Sequence, residues 1–153
     1  MEPRHVASVS FGKDSLAMLY LLIARGWPLD EVVFFNNGME FQAIYDTRDR
    51  VLPDLEALGI PYTELYPRSP FLYDMLERPI KYRDKPGHHY GYQWCGGPCR
   101  WATAEKVKVI RDYCAGAVIY VGLAADEPQR FDRCGYPNRN LPLAEWGLAE
   151  ADC

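Results

Sequence analysis

Short apolar segments alternate with helical patterns in the first part of the chain, and this alternation restricts the fold more than any other feature. Residues 6–9 are apolar, and residues 15–25 follow with apolar side chains at helical spacing. Glu31–Phe35 is apolar on both faces, which is typical of a buried parallel strand, and residues 41–58 again predict a helix. The pattern predicts an α/β fold of three layers, with a mostly parallel sheet and helices on both faces.

The remaining segments extend this pattern. Two further strands are predicted at residues 61–66 and 117–121, and two further helices at residues 71–77 and 103–114. Pro53 predicts a break in the helix at 41–58 because proline lacks the amide hydrogen. Residues 78–92 and 123–140 have no period and predict irregular loops, the first long enough for a lid or a functional insertion.

The C-terminal residues indicate a boundary inside a longer protein. Residues 148–153 begin a helical pattern that stops after about one turn, and an isolated turn is not stable by itself. We therefore expect residues 1–153 to form one α/β domain that is truncated at its C-terminus.

Composition and charge exclude several classes of protein. The chain is 48% hydrophobic and 25% charged, which excludes a disordered or fibrous protein. No apolar run approaches the roughly 18 residues of a membrane helix, and no signal peptide pattern is present, so we expect a cytoplasmic protein without a membrane partner. The net charge is −4, yet residues 66–111 hold nine Lys and Arg against four Asp and Glu. This segment favours a local anionic ligand, with a solvated basic loop as the alternative.

The six residues between the first strand and the first helix have the composition of an anion-binding loop. In order they are Ser10, Phe11, Gly12, Lys13, Asp14 and Ser15. Free amides and the helix dipole favour an anion at this position, and Gly12 permits close approach of the backbone. Lys13 adds a positive charge, and Asp14 is placed to cap the helix or to hold Mg²⁺ on bound phosphates. The spacing is neither that of a Walker A loop nor that of a dinucleotide loop, and an ordinary strand–helix turn is the alternative.

This loop closely resembles the Ser-Gly-Gly-x-Asp-Ser pyrophosphate loop of the adenine-nucleotide α-hydrolase superfamily. Within that superfamily it is similar to the phosphoadenosine phosphosulfate (PAPS) reductase family. The resemblance implies a Rossmann-like nucleotide-binding domain, nucleotide contacts from all six loop residues, and catalytic roles for Lys13 and Asp14. Phe11 stands where the family has its first glycine, so the amide is kept but the backbone is less free.

Three later segments match the same family in order, and the last of them, residues 142–146, resembles the segment that closes the family's core. Asn36, Asn37 and Gly38 follow the second strand, where the family usually has Asp-Thr-Gly in contact with the adenosine. The resemblance implies that these three residues also contact the nucleotide, although asparagine here replaces the family's aspartate and its carboxylate. A plain Asn-Gly turn is the alternative.

The second matching segment is residues 122–130, which resemble Gly-Ile-Arg-Ala-Asp-Glu-Ser-x-Arg. This implies a nucleotide contact at Gly122 and catalytic roles for Asp126 and Arg130, whose guanidinium suits phosphate or sulfate. Ala124 replaces a family arginine, which removes one anion contact. A solvated acidic loop is the alternative for this segment.

Cysteines form a second group of candidate ligands. Cys95 and Cys99 flank Gly-Gly-Pro on a tight turn, as a shared iron–sulfur cluster or metal ion requires, although three intervening residues are one more than in a zinc knuckle. The residues that could complete the ligand set are Cys134, Cys153, His88 and His89. A turn with two metal-free thiols is the alternative. Cys114, on a predicted helix, is expected to be a buried small hydrophobe.

Basic residues accompany these cysteines. Arg100 and Lys106 lie where family members place cations that meet the sulfate or phosphate end of the nucleotide. Basic and aromatic side chains also interleave upstream, a pattern that suits single-stranded nucleic acid, with a mixed surface loop as the alternative. These side chains are Arg68, Arg78, Lys81, Tyr82, Arg83, Lys85, Tyr90 and Tyr92.

The resemblance, which extends over about residues 6–153, implies an enzyme core in sulfur chemistry that binds ATP, adenosine phosphosulfate (APS) or PAPS. In reductases of the family a thiolate attacks the sulfur of the sulfonucleotide, and a thiol donor supplies the electrons. Their nucleophile lies in a Glu-Cys-Gly-Leu tail that residues 1–153 lack, so this chain alone is not expected to complete reduction.

Two alternatives remain. An ATP pyrophosphatase that adenylates tRNA or DNA and transfers sulfur from a sulfur donor, often with an iron–sulfur cluster, fits the cysteines and the basic segment. A non-catalytic nucleotide-binding module fits the departures from the family pattern at Phe11, Asn37 and Ala124.

Overall fold

The computed structural model describes residues 2–92, 101 and 105–153. Its strands are β1 (His5–Ser8), β2 (Glu31–Phe35), β3 (Tyr62–Leu65), β4 (Pro79–Lys81), β5 (His88–Tyr90), β6 (Val118–Val121) and β7 (Arg139–Asn140). Its α-helices are α1 (Lys13–Ala24), α2 (Gln42–Ala57), α3 (Phe71–Leu76), α4 (Val107–Tyr113), α5 (Pro128–Phe131) and α6 (Pro142–Glu145). A 3-10 turn follows at Glu150–Asp152.

The main sheet has five strands in the order β3-β2-β1-β6-β7, and every neighbouring pair is parallel. Strand β1 is central, with Ala7 opposite both Val32 of β2 and Tyr120 of β6. The strand order reverses around β1, and ligands of open α/β sheets bind at the carboxyl ends of the strands at such a point. The predicted mostly parallel α/β fold is confirmed.

Helices cover both faces of the sheet. On one face, Ala7, Val32 and Phe34 pack in a cluster with residues of α1 and α2. On the other face, Val6, Val33 and Phe35 pack in a second cluster with residues of α3 and α4. Alternate residues of one strand therefore serve two cores, which explains why Glu31–Phe35 has no polar face. Cys114 is buried in the second cluster, as expected.

Pro53 does not break its helix, which contradicts the sequence prediction. Helix α2 runs without interruption through Pro53, whose side chain is exposed. Val51 and Leu55, on either side, are 5% and 1% exposed and pack against the first core cluster. A proline inside a helix costs about 3 kcal/mol or more, and here the packing of the apolar face of α2 outweighs that cost.

Both segments predicted to be irregular contain regular structure. Residues 78–92 form an antiparallel hairpin of β4 and β5, and residues 123–140 contain α5 and β7. These elements have two to four residues each, which is too short to produce a readable period. Strand β7 adds a fifth parallel strand that the sequence did not predict. Among the described residues, no helix is long and apolar enough to cross a membrane.

Candidate nucleotide site

The loop from Ser10 to Ser15 is closed by its own hydrogen bonds. The backbone amide of Ser10 donates to Ser15 Oγ at 3.2 Å, and that hydroxyl donates to the Gly12 carbonyl at 3.0 Å. The two serine hydroxyls lie 3.1 Å apart. Gly12 is the N-cap of α1 without any side-chain cap, so Asp14 does not cap the helix as one reading of the sequence had it. The first amides of α1 are thus left to a ligand or to water.

Phe11 adopts the backbone conformation that glycine would take. Its φ is +57°, in the left-handed region that L-residues enter at a cost of roughly 1–2 kcal/mol. The ring is 2% exposed. Its centroid lies 5.2 Å from that of Phe34, in an edge-on contact, and 6.2 Å from that of the tilted Tyr62 ring. Burial of the ring offsets the backbone strain. The departure at Phe11 therefore changes the side chain of the loop but keeps a glycine-like backbone.

Gly122 joins the end of β6 to this loop. A Cβ atom at Gly122 would lie 2.8 Å from Ser15 Cα and 3.0 Å from Ser15 N. The two backbones approach so closely that only glycine fits without movement. The end of β6 therefore supports the first turn of α1, and the sequence-predicted residues Ser15 and Gly122 lie together.

Lys13 and Asp14 belong to this loop and are the first residues of α1. The Lys13 ammonium donates to the Glu150 carbonyl at 2.6 Å and lies 3.4 Å from the Glu150 carboxylate. Asp14 Oδ1 lies 3.7 Å from that ammonium, and within the described part of the chain this buried oxygen accepts no hydrogen bond. Asp14 is thus a carboxylate with a free lone pair beside the anion-binding amides.

Asp126 and Arg130 have partners inside the protein. Asp126 Oδ1 accepts the Glu150 amide at 3.0 Å, so one terminal turn connects Asp126 to Lys13. Arg130 Nη1 lies 2.7 Å from Glu127 Oε1, three residues away. The structure thus brings Lys13, Asp14 and Asp126 to the same edge of the sheet through Glu150.

The turn after β2 uses its asparagines internally. Asn36 Nδ2 donates to Glu64 Oε1 at 2.6 Å, and Asn36 Oδ1 accepts from the Gly38 amide at 2.8 Å. Asn37 Nδ2 donates to Glu40 Oε1 at 2.9 Å. These bonds shape the turn, and direct contacts of Asn36, Asn37 and Gly38 with a nucleotide stay a prediction.

Glu64, at the end of β3, is held ionised behind this turn. Burial raises the pKa of Glu64, but hydrogen bonds from Asn36 and Tyr62 and the charge of Arg48 outweigh it, so that its pKa lies below the ordinary value. Arg48 Nη1 lies 3.2 Å from Glu64 Oε1. The carboxylate therefore acts as a fixed acceptor that orients Asn36.

A cavity of about 390 Å³ lies beside this turn. One wall is residues 36–39 after β2, and the other is residues 66–72 after β3, including Arg68 and Phe71. Its size lies within the range of small-ligand pockets. Sequence reasoning missed the second wall as part of the site, although its position at the carboxyl end of a predicted strand was a usable signal.

A larger cavity of about 560 Å³ lies at the end of β6. Three cations line it, Lys106, Arg130 and Arg133, and so do Val121 and Leu123, which flank Gly122. The cavity is therefore next to the Ser10–Ser15 loop. Arg133 was not predicted as a site residue, because only the fold brings it to the cavity.

Lys106 is the most unusual of these cations. Burial lowers the pKa of Lys106, the Glu40 carboxylate opposes this shift, and the Arg130 guanidinium adds to it. Among the described residues, the Lys106 ammonium has no hydrogen bond or ion pair. A largely buried cation without a partner favours an anionic ligand beside it.

The predicted cysteine site lies partly outside the described residues. Cys95, Cys99 and Arg100 lie outside the described residues. Cys134 packs with the cluster on one face of the sheet and Cys153 with the cluster on the other. In residues 2–92, 101 and 105–153, no three His, Cys, Asp or Glu side chains are grouped to hold a metal ion. The predicted ligand set of Cys95, Cys99, Cys134 and Cys153 stays a prediction, because Cys95 and Cys99 lie outside the described residues.

The thiol of Cys153 lies instead near the loop. Burial raises the pKa of Cys153, and the Asp14 carboxylate acts in the same direction. Its thiol lies 3.5 Å from the Ala149 carbonyl. Burial also raises the pKa of Cys134, which lines the cavity of Lys106. Burial thus favours the protonated form of both thiols.

Comparison with known proteins finds a similarity to the same family that the motifs resemble. Residues 4–69 match the family model described as the phosphoadenosine phosphosulfate reductase domain. The adenosine 5′-phosphosulfate reductases of two Staphylococcus epidermidis strains are each 26% identical over 117 residues, which is 76% of this chain and 42% of theirs. The chain thus spans less than half the length of these curated relatives.

A solved structure has the same fold. The U34-tRNA thiolase NcsA from Methanococcus maripaludis, determined with its 4Fe-4S cluster, matches with a TM-score of 0.56 and 17% identity. The match covers 93% of this chain and 52% of that one. The predicted resemblance and the predicted Rossmann-like fold are both confirmed.

Proposed function

Residues 4–69 match the PAPS reductase domain, and from this premise we propose that the chain is an adenine-nucleotide-binding enzyme core that acts in sulfur chemistry. One observation carries the proposal. The glycine-like backbone of Phe11 and the contact of Gly122 with Ser15 place free helix amides next to a cavity lined by three cations. An elongated anion matches that arrangement, because one charged group can bind at the helix amides and another at the cations of the cavity.

The nucleotide is expected to span the two cavities. Its pyrophosphate or phosphosulfate group would lie at the amides of residues 12–15, with Lys13 exchanging the Glu150 carbonyl for a ligand oxygen. The adenosine would occupy the cavity between residues 36–39 and 66–72. The outer sulfate or phosphate would lie against Lys106 and Arg130, whose guanidinium forms a bidentate pair with such groups.

In this proposal the protein positions the anion, and a thiol outside residues 1–153 performs the attack. A thiolate would bond to the sulfur of a sulfonucleotide while the bond between that sulfur and the phosphate oxygen breaks, and the nucleoside phosphate leaves. Lys106 and Arg130 would stabilise the charge on the transferred group.

A second candidate, an ATP pyrophosphatase that feeds sulfur transfer, is favoured by Asp14. The buried Oδ1 of Asp14 accepts no hydrogen bond among the described residues and lies 3.7 Å from the Lys13 ammonium, and it is a suitable oxygen ligand for Mg²⁺ on a triphosphate. Bound Mg²⁺ would neutralise phosphate charge during adenylation. An iron–sulfur cluster in this activity would need Cys95 and Cys99, which lie outside the described residues.

The test is equilibrium binding of Mg-ATP, APS and PAPS by titration calorimetry. Lys106→Met removes the buried cation, and Lys108→Met removes an exposed lysine two residues later on the same segment. We expect Lys106→Met to weaken sulfonucleotide binding at least about tenfold, in line with a lost charge-assisted hydrogen bond, and Lys108→Met to change it less than about twofold.

The pattern of binding separates the candidates. Preference for APS or PAPS supports the reductase core, and preference for ATP that depends on Mg²⁺ and on Asp14 supports the pyrophosphatase. Tight binding without turnover in a longer protein would indicate the non-catalytic module. If no nucleotide binds to the folded chain, the proposal fails.

A further inference from the structure

The hairpin of β4 and β5 has one exposed face and one covered face. Lys81 pairs directly with His88, and Pro79 pairs with Tyr90, so these four side chains share a face. All four are exposed, and Tyr90 is 61% exposed. Ile80 and His89 alternate with them and are half-buried on the opposite face. The outer face thus presents a cation, an imidazole and a large aromatic ring to solvent.

The tip of the hairpin adds charge of the same sign. Arg83 and Lys85 are exposed, and Asp84 is the one acidic residue between residues 78 and 90. Within the described part of the chain, neither Lys81 nor Arg83 has an ion-pair partner. Lys85 lies 4.2 Å from the centre of the Tyr82 ring. A chain with a net charge of −4 therefore concentrates unpaired cations and exposed rings on this hairpin.

The base of the hairpin is fixed to the body of the protein. Gly91 has φ of +68°, and a Cβ atom there would overlap the Met75 carbonyl group. The Gly91 amide donates to the Arg78 carbonyl at 2.8 Å, and the Tyr92 amide donates to the Asp74 carbonyl at 3.1 Å. These contacts set the direction of the hairpin, so its face is presented in a defined orientation.

Two ion-paired arginines lie between the hairpin and the nucleotide site, Arg68 with Glu105 and Arg78 with Asp74. Arg68 and Ser69 line the cavity proposed for the adenosine, and they also line a neighbouring cavity of about 440 Å³. Arg78, at the base of β4, lines that second cavity too. Glu105 also lines it, so Arg68 and Arg78 mark a polar path from the site to Lys81 whose charges are already paired. A polymer bound on the hairpin would extend toward the carboxyl edge of the sheet.

We propose that the β4–β5 hairpin is a binding surface for a single-stranded polynucleotide. Phosphates would contact Lys81, Arg83 and Lys85, and a base would stack on Tyr90. A duplex keeps its bases stacked inside, so it offers the phosphates but no face for Tyr90. The surface is independent of which nucleotide occupies the site, so failure of either proposal leaves the other standing.

The test is fluorescence anisotropy of the full chain with labelled oligouridylate of about 12 nucleotides, a length within the site sizes of single-strand binding folds. Parallel titrations use single-stranded DNA and duplex DNA of equal length. We expect saturable binding of at least one single strand and weaker binding of the duplex. No binding, or equal binding of duplex and single strands, would overturn the proposal.

Variants separate charge from stacking. Lys81→Ala/Arg83→Ala should weaken binding about tenfold and reduce the slope of log Kd against log salt by about 1.4, at about 0.7 for each phosphate contact. The matched control Arg25→Ala/Arg50→Ala removes the same charge from the C-cap of α1 and from α2, and it should change affinity less than about twofold. Equal losses in both double variants contradict a hairpin site, because they indicate binding by net charge alone.

Tyr90 provides the second pair of variants. Tyr90→Ala should weaken single-strand binding at least about fivefold, the low end of what one stacked base contributes, while Tyr90→Phe should bind like the wild type. Tyr90 is exposed, and its hydroxyl lies 3.2 Å from the ring of His88, which is exposed as well. Loss of this surface contact is not expected to unfold the protein in either variant. Unchanged affinity in Tyr90→Ala overturns the stacking part of the proposal.

Discussion

The Ser10–Ser15 loop and the cavity of Lys106 lie side by side, yet they differ in whether their polar side chains have partners within the protein. The loop satisfies its serines with each other and fits Phe11 into the core. The cavity keeps a largely buried ammonium without a partner among the described residues and places two guanidiniums near it. The loop is therefore a stable, preformed shape, whereas the cavity carries an electrostatic cost that a bound anion would relieve.

The largest expected effect on stability comes from Phe11, which belongs to the loop. Phe11→Ala removes a ring that is 2% exposed and leaves the backbone at φ of +57°, so we expect a loss of about 3–5 kcal/mol in unfolding free energy. Phe11→Gly loses the same ring but removes the strain. It should therefore be more stable than Phe11→Ala by about 1 kcal/mol. Urea denaturation of both variants measures the difference, and an alanine variant equal to or better than the glycine variant contradicts a strained loop.

Gly122 tests the support that β6 gives to the loop. Gly122→Ala places a methyl group within 3.0 Å of the Ser15 backbone, and we expect a destabilisation of about 3 kcal/mol together with weaker nucleotide binding. Gly59→Ala is the control, because it has φ of +68° and no atom within 4 Å of the added carbon. Only backbone strain of roughly 1–2 kcal/mol applies there. A Gly122 variant no less stable than the Gly59 variant would falsify the close contact.

Sequence predicted the loop better than the cavity, because the loop is local. The strand, the six-residue loop and the helix are adjacent in the chain, so apolar periodicity and residue type were enough to place Ser10–Ser15. The cavity combines Lys106 with Arg133, which approach only after β6 and α5 pack. Arg133 was missed for this reason. The hairpin was missed because its strands have three residues each, so no alternation is visible.

The charge of Lys106 should reduce stability while it favours binding. Burial lowers the pKa of Lys106, so between its folded-state pKa and pH 10.5 the unfolded chain binds more protons at this residue than the folded protein does. The cost is complete below the folded-state pKa and declines as pH rises toward 10.5. Lys106→Met should therefore stabilise the unliganded protein at neutral pH by about 0.5–2 kcal/mol, although it weakens anion binding.

Thermal unfolding across pH 6–10 separates this effect from simple packing. The gain from Lys106→Met is expected to be largest at the acidic end and to shrink at the alkaline end, whereas Lys108→Met should show no such trend. A Lys106 variant that is less stable than wild type at neutral pH would mean that the ammonium already has a partner in the unliganded protein.

The smallest expected stability change is at Lys13. This residue lies in the loop, but like the cations of the cavity it is expected to contribute more to anion binding than to stability. Its ammonium is half-exposed and bonds to Glu150, so Lys13→Met should cost less than about 1 kcal/mol. If a phosphate oxygen replaces the Glu150 carbonyl as the acceptor of the Lys13 ammonium when the nucleotide binds, nucleotide affinity should nevertheless fall at least about tenfold. Glu150→Gln, which keeps the carbonyl acceptor, is the control and should leave affinity within about twofold. Equal affinity in Lys13→Met and wild type would assign Lys13 to the terminal turn and leave anion binding to the amides and to Lys106.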